Sequence, residues 1–113
     1  MYFEPVPERF RAALSRIVDR IVAGDYEGLA RDHTSDPDSD LGLWARQYPA
    51  TFVSLPPEAW EHADALYRPE RDDWHVVLPL WSAEEGRSDM CLELTVRERS
   101  AGLEIEINDL HVM

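Results

Sequence analysis

Glu84, Glu85, Arg87 and Asp89 crowd one polar stretch, Ser82-Ala83-Glu84-Glu85-Gly86-Arg87-Ser88, bracketed by Trp81 and Asp89, while His111 lies near the end of the chain. Carboxylates beside an imidazole are the ingredients of acid–base chemistry, provided a cleft shifts their pKa values. The same residues also suit a charged hairpin loop in which Arg87 pairs with Asp89 or a glutamate and Gly86 takes a positive φ. So many charges on one turn, with an apolar shoulder at Trp81, favour a partner surface or a charge network closing the sheet over an active site. Trp81, Glu84, Glu85, Arg87, Asp89 and His111 are therefore the candidate binding residues, and no catalytic residue is assigned.

Other chemistry-bearing residues are scattered. His33, His62, His75 and His111 lack the spacing of a metal site. His62 and His75 are placed to approach across a hairpin, but two imidazoles without a third ligand do not make a zinc site. Asp36, Asp38 and Asp40 imitate the opening of a calcium-binding EF-hand loop. Leu41 then stands where that loop needs glycine, and Gln47 where it needs a bidentate glutamate, so a solvated acidic loop is expected. Cys91 has no paired-histidine signature and reads as a small strand residue. The chain has no lysine, no glycine-rich phosphate loop and no nucleophile elbow, which removes several catalytic designs. Neither a cofactor nor a metal is expected.

The elements that must position these residues can be read from periodicity. Phe10, Leu14, Ile17, Val18, Ile21 and Val22 recur at helical spacing behind Pro7 and ahead of Gly24, predicting a helix with one apolar stripe. Asp25 is placed to cap a second short helix over 26–32. Residues 41–47 read as a helical turn burying Leu43 and Trp44 and stopped by Pro49. Pro56-Pro57-Glu58-Ala59-Trp60 opens another, and residues 61–68 fit either its continuation to Tyr67 or a strand, the strand being preferred because a polar turn follows. Four antiparallel strands follow, over 63–68, 74–81, 89–98 and 103–112, with 69–73 a polar turn. Trp74, Val76, Leu78 and Leu80 should face the core opposite Met90, Leu92, Leu94 and Val96, leaving Glu93, Thr95 and Arg97 wet. Leu110 and Val112 fall out of phase with Leu103, Ile105 and Ile107, which predicts a bulge at Asn108-Asp109. Pro79 cannot donate to a ladder, so its strand needs an edge or a bulge there. Leu14, Ile17, Leu78, Leu92, Leu94 and Ile105 head the expected core. The result is an α+β domain, with N-terminal helices packed on one face of a mostly antiparallel sheet of about four strands.

At 113 residues, one domain (1–113) is expected. Its 44% hydrophobic content and four tryptophans argue against disorder. No apolar run suits a membrane span, and the N-terminus lacks signal-peptide character. One cysteine allows no intrachain disulfide, in keeping with a cytoplasmic location. Twenty-three acids oppose 11 arginines, for a net charge of −12. Residues 1–23 are slightly basic, with four arginines (Arg9, Arg11, Arg16, Arg20) against three acids (Glu4, Glu8, Asp19), so the negative field belongs to the rest of the chain. Such a field repels nucleic acid and suits a basic protein partner, though it also serves plain solubility.

Two resemblances attach to particular segments. Leu80-Trp81-Ser82-Ala83-Glu84-Glu85-Gly86-Arg87-Ser88-Asp89, with Leu92-Glu93-Leu94 and Asp109-Leu110-His111-Val112, resembles a small family of uncharacterised bacterial domains, which implies no particular activity. Ile21-Val22-Ala23-Gly24-Asp25-Tyr26-Glu27-Gly28-Leu29-Ala30 is similar to the helix junction of NTF2-like (cystatin-like) α+β proteins. The expected function is non-catalytic protein binding, of the immunity type that masks a basic toxin, with steering by the acidic surface. The alternative is an NTF2-like small-molecule binder or enzyme with Trp44, Trp60, Tyr67 and Trp81 around a pocket.

Overall fold

The computed structural model describes residues 3–32, 34–36 and 40–112. Helix α1 runs Glu8–Val22, with Pro7 at its cap and its carbonyl accepting from Phe10 N at 2.9 Å. Phe10, Leu14, Ile17, Val18 and Ile21 are buried along one stripe. Val22, expected in that stripe, is 38% exposed, because it lies at the margin of the stripe whose last buried member is Ile21. Gly24 supplies the left-handed residue after the helix, at φ +74°. Asp25 then caps α2 (Tyr26–Arg31), its carboxylate accepting from Gly28 N at 3.1 Å. Helix α3 covers Leu41–Gln47 and buries Leu41 and Ala45. Trp44 is only partly buried, and Leu43 is 46% exposed. The expected burial of Leu43 was wrong because Leu41 and Ala45, four residues apart, define the inward face.

The sheet has six strands, not four: β1 (Glu4–Pro5), β2 (Phe52–Val53), β3 (Asp64–Arg68), β4 (Asp73–Ser82), β5 (Gly86–Arg99) and β6 (Gly102–Val112). The order is β1-β3-β4-β5-β6, every pairing is antiparallel, and β2 joins β4 beyond the end of β3. Both added strands are two residues long, too short for a period of two to show. A 3-10 turn, Pro57–His62, precedes β3. Strand β4 begins at Asp73, opposite Arg68, so Asp73 belongs to the ladder and not to the preceding turn.

The inner face follows the expected phase. Trp74 stands opposite Val96, Val76 opposite Leu94 and Leu78 opposite Leu92. With the α1 stripe these residues form the core. Ile105 is only partly buried, and Ile107 takes the deeper place on β6. Pro79 falls where neither β3 nor β2 pairs with β4, and the β4–β5 register shifts beside it. Its missing donor is thereby accommodated. On β6, Asp109 stands opposite Glu93 and Ile107 opposite Leu94, so Asn108 is the extra residue of a bulge. This returns Leu110 to the core, while Val112 at the strand end is 58% exposed.

The outer face is less wet than alternation implies. Thr95 is 4% exposed and Asp73 2%. Arg68 Nε bonds Asp73 at 2.7 Å, and the Thr95 hydroxyl donates to Asn108 Oδ1 at 2.8 Å. These contacts cover a line of outer-face groups across β3, β4, β5 and β6.

Candidate functional site

The β4–β5 connection is shorter and more strongly tied down than a free loop. Strand β4 runs through Ser82 and β5 begins at Gly86, with φ +75°. Glu84 accepts from Thr51 N at 2.8 Å and from the Thr51 hydroxyl at 3.0 Å, while Ala83 N donates back to Thr51 O at 2.9 Å. The Thr51 backbone donor holds the Glu84 carboxyl below its ordinary pKa. Glu85 accepts from the Tyr48 hydroxyl at 2.9 Å and the Ser82 hydroxyl at 3.0 Å. Asp89 N donates to the same Tyr48 oxygen at 3.2 Å. Burial pushes the Tyr48 phenol above its usual pKa, so it stays a neutral donor. The turn is thus bolted to the segment after α3.

The remaining candidates lie apart. Arg87 pairs with neither Asp89 nor a glutamate; its Nη1 lies 2.8 Å from His62 Nδ1. Since a guanidinium only donates, Nδ1 accepts and the neutral ring carries its proton on Nε2. Trp81 is 7% exposed, with its ring centre 5.9 Å from that of His62. His111 stands opposite Cys91, and its ring turns towards Glu93 rather than towards the charged turn.

There a second constellation forms. His75 Nε2 lies 3.1 Å from Glu93 Oε1, His111 Nε2 contacts Glu93 Oε2, and Asp109 Oδ2 is 3.9 Å from His111 Nε2. Ligand atoms of Glu93, Asp109 and His111 all lie within 4.8 Å of one another, and the three residues are half-buried. The hydrogen bond to Glu93 raises the His111 pKa. Residue spacing hid this group, because its members come from β4, β5 and β6. Only the predicted bulge signalled it, by placing Asp109 beside Glu93 and His111 on the same face. His75 meets Glu93 rather than His62, correcting the expected histidine approach: strand pairing carries them to different neighbours.

Burial pushes the Cys91 thiol up, away from the reactive thiolate. Asp36 and Asp40 flank a part of the acidic loop that includes Asp38; Asp38 and His33 lie outside the described residues. Leu41 starts α3, so the chain enters a helix where an EF-hand would continue its loop. The four pocket aromatics occupy separate places. Trp44 borders a concavity with Tyr48 and His111, and Trp60 another with Arg11 and Glu61. Tyr67 meets Trp74 at a tilt, and Trp81 meets His62.

The family model described as Domain of unknown function (DUF7668) matches residues 18–113. The chain belongs to this family. The match spans α2, α3 and the strands β2–β6 that carry the charged turn and the His–Glu–His group. No curated protein and no solved structure matches the chain. Among the described residues, no helix is long and apolar enough to cross a membrane.

Proposed function

We propose that this DUF7668 domain is a non-catalytic bacterial binding protein that captures a basic protein, in the manner of an immunity protein masking a toxin. The observation that carries the reading is an acidic rim whose exposed carboxylates enter no ion pair among the described residues. Glu58, Glu61 and Asp64 are exposed, and none of their side chains has a hydrogen-bond or ion-pair partner among the described residues. Glu4, Glu61 and Asp64 border a concavity of about 440 Å³ beside Trp60. Arg11 lies 5.6 Å from the Trp60 ring centre and offsets one of these charges. An inserted arginine or lysine would meet several carboxylates in a concavity, a favourable setting for a cation. The overall −12 charge adds long-range steering of basic partners and disfavours nucleic acid.

The bolted turn, with Trp81, Glu84, Glu85, Arg87 and Asp89, has a different role on this reading. Glu84 and Glu85 spend their acceptors on Thr51, Tyr48 and Ser82, so they hold the surface in shape more than they offer charge to a partner. The NTF2-like small-molecule reading would need the aromatics to converge, and their separate placement gives it less support.

The test is affinity capture from the native host, followed by stopped-flow association with the purified partner. Association should slow steeply from low to physiological salt. The Glu58→Lys/Glu61→Lys/Asp64→Lys variant should slow association while leaving dissociation less changed. A salt-independent rate, or a triple variant that associates like the parent, would refute the acidic-rim reading.

A further inference from the structure

We propose that Glu93, Asp109 and His111 bind one divalent transition-metal ion, zinc above all, on the outer face of the sheet, with His75 positioning Glu93. This goes beyond the capture of a basic partner and depends on different residues.

The argument starts from the atoms. Glu93 and Asp109 offer carboxylate oxygens, and the ring of His111 turns Nε2 towards both. Its other nitrogen, Nδ1, lies 3.4 Å from Val112 O. In the metal-free protein the proton on Nε2 bonds Glu93; once an ion displaces it, with the Nδ1 proton facing that carbonyl, Nε2 is bare and three acceptors surround one point. Such a point calls for a cation, and a backbone carbonyl behind the imidazole is the usual support of a metal-binding histidine. Zinc–ligand bonds of about 2.0–2.2 Å place the donors of a tetrahedral site about 3.3 Å apart. The 3.9 Å between Asp109 Oδ2 and His111 Nε2, and the mutual 4.8 Å limit on all three donors, need only small side-chain rotations to close. Two carboxylates neutralise the ion, and three protein ligands leave a fourth position for water. An imidazole donor favours zinc and its neighbours over calcium and magnesium, which prefer oxygen alone.

The backbone holds these donors in place. Glu93 sits mid-strand in β5, flanked by β4 and β6. The Asn108 bulge keeps Asp109 opposite Glu93 and His111 opposite Cys91, so both share the Glu93 face. His75 Nε2, 3.1 Å from Glu93 Oε1, faces the carboxylate from the other side and leaves Oε2 for the ion. With the His75, Glu93 and His111 side chains 23%, 27% and 35% exposed, the ion has a path from solvent.

The experiment titrates chelator-treated protein with zinc by calorimetry in two buffers of different ionisation enthalpy, and with cobalt by visible absorption. We expect one zinc per chain at this site, proton release as the ion displaces the proton between His111 and Glu93, and the strong visible bands of low-coordinate cobalt. Glu93→Gln and His111→Gln should each weaken zinc binding by more than the roughly 10–100-fold cost of losing an outer-shell partner. His75→Ala should weaken it within that 10–100-fold range, and His75→Gln, which keeps a donor, should recover part of the loss. Magnesium should give no response. Absence of stoichiometric zinc binding by the parent would overturn the proposal. So would zinc binding that survives both Glu93→Gln and His111→Gln, which would place the ion elsewhere. If a variant fails to fold, the histidine nitrogen shifts of the parent decide: zinc must perturb His111 Nε2, and an unmoved His111 refutes the site.

Discussion

Deleting Asn108 from the middle of β6 should leave the domain nearly as stable as before. Asn108 is the extra residue between the Leu94–Ile107 and Glu93–Asp109 pairs. Its removal joins those pairs into an uninterrupted ladder and leaves Asp109, Leu110 and His111 opposite their present partners. The loss is the Thr95–Asn108 hydrogen bond at 2.8 Å, worth about 0.5–1.5 kcal/mol net. A regular ladder offsets part of it, so the change should stay within about 1 kcal/mol. Deleting Asn108 and Asp109 together is different, because it slips the rest of the strand by one residue and exchanges its faces. Leu110, now 3% exposed, would turn outward and lose about 1.5–3 kcal/mol of burial. His111 would turn towards the core, where an unpaired polar group adds about 1–3 kcal/mol. The double deletion should therefore cost on the order of 3–5 kcal/mol, and more than 10 °C in melting temperature for a domain of this size. Urea melts of the parent and both deletions measure the contrast. If the single deletion costs as much as the double, the bulge does not serve to restore phase and the argument fails.

Three further outcomes are expected. Arg68→Met should destabilise by about 3–5 kcal/mol, since it strips the nearly buried Asp73 of its guanidinium at 2.7 Å; denaturant melts check this, and a loss under about 1 kcal/mol would mean that Asp73 is satisfied elsewhere. Leu92→Ala should cost about 2–5 kcal/mol, because Leu92 is fully buried opposite Leu78 and Leu110; less than about 1 kcal/mol in the same melts would contradict the strand phase. The third concerns pH in metal-free protein: His111 is raised in pKa by Glu93, with Asp109 adding to it and His75 facing the same carboxylate. Its contribution should be full below the unfolded value of about 6.5 and lost as pH rises through the higher folded pKa. Urea midpoints across about pH 5 to 8 should therefore show the advantage of the parent over Glu93→Gln shrinking as pH rises, and a constant or growing advantage would refute it.

Local sequence determined the parts of this fold governed by near neighbours. The α1 stripe, the Gly24 stop, the Asp25 cap and the facing rows Trp74–Leu80 and Met90–Val96 follow from helical and strand periods, which repeat within a few residues. The bulge at Asn108 was legible too, because a phase slip between Ile107 and Leu110 has one economical repair. Tertiary structure alone decided what depends on strand order and register. Strands of two residues have no period, so β1 and β2 were invisible. Thr95 alternates as a wet residue, yet Arg68 and Asn108 cover it from strands far apart in the chain. Local sequence left the charged turn open between a partner surface and a network closing the sheet, because its partners, Tyr48 and Thr51, come from a segment more than thirty residues earlier. The His75–Glu93–His111 group had no motif for the same reason: its spacing is set across three strands by hydrogen-bonded pairing, and only the pairing brings the three side chains to one point.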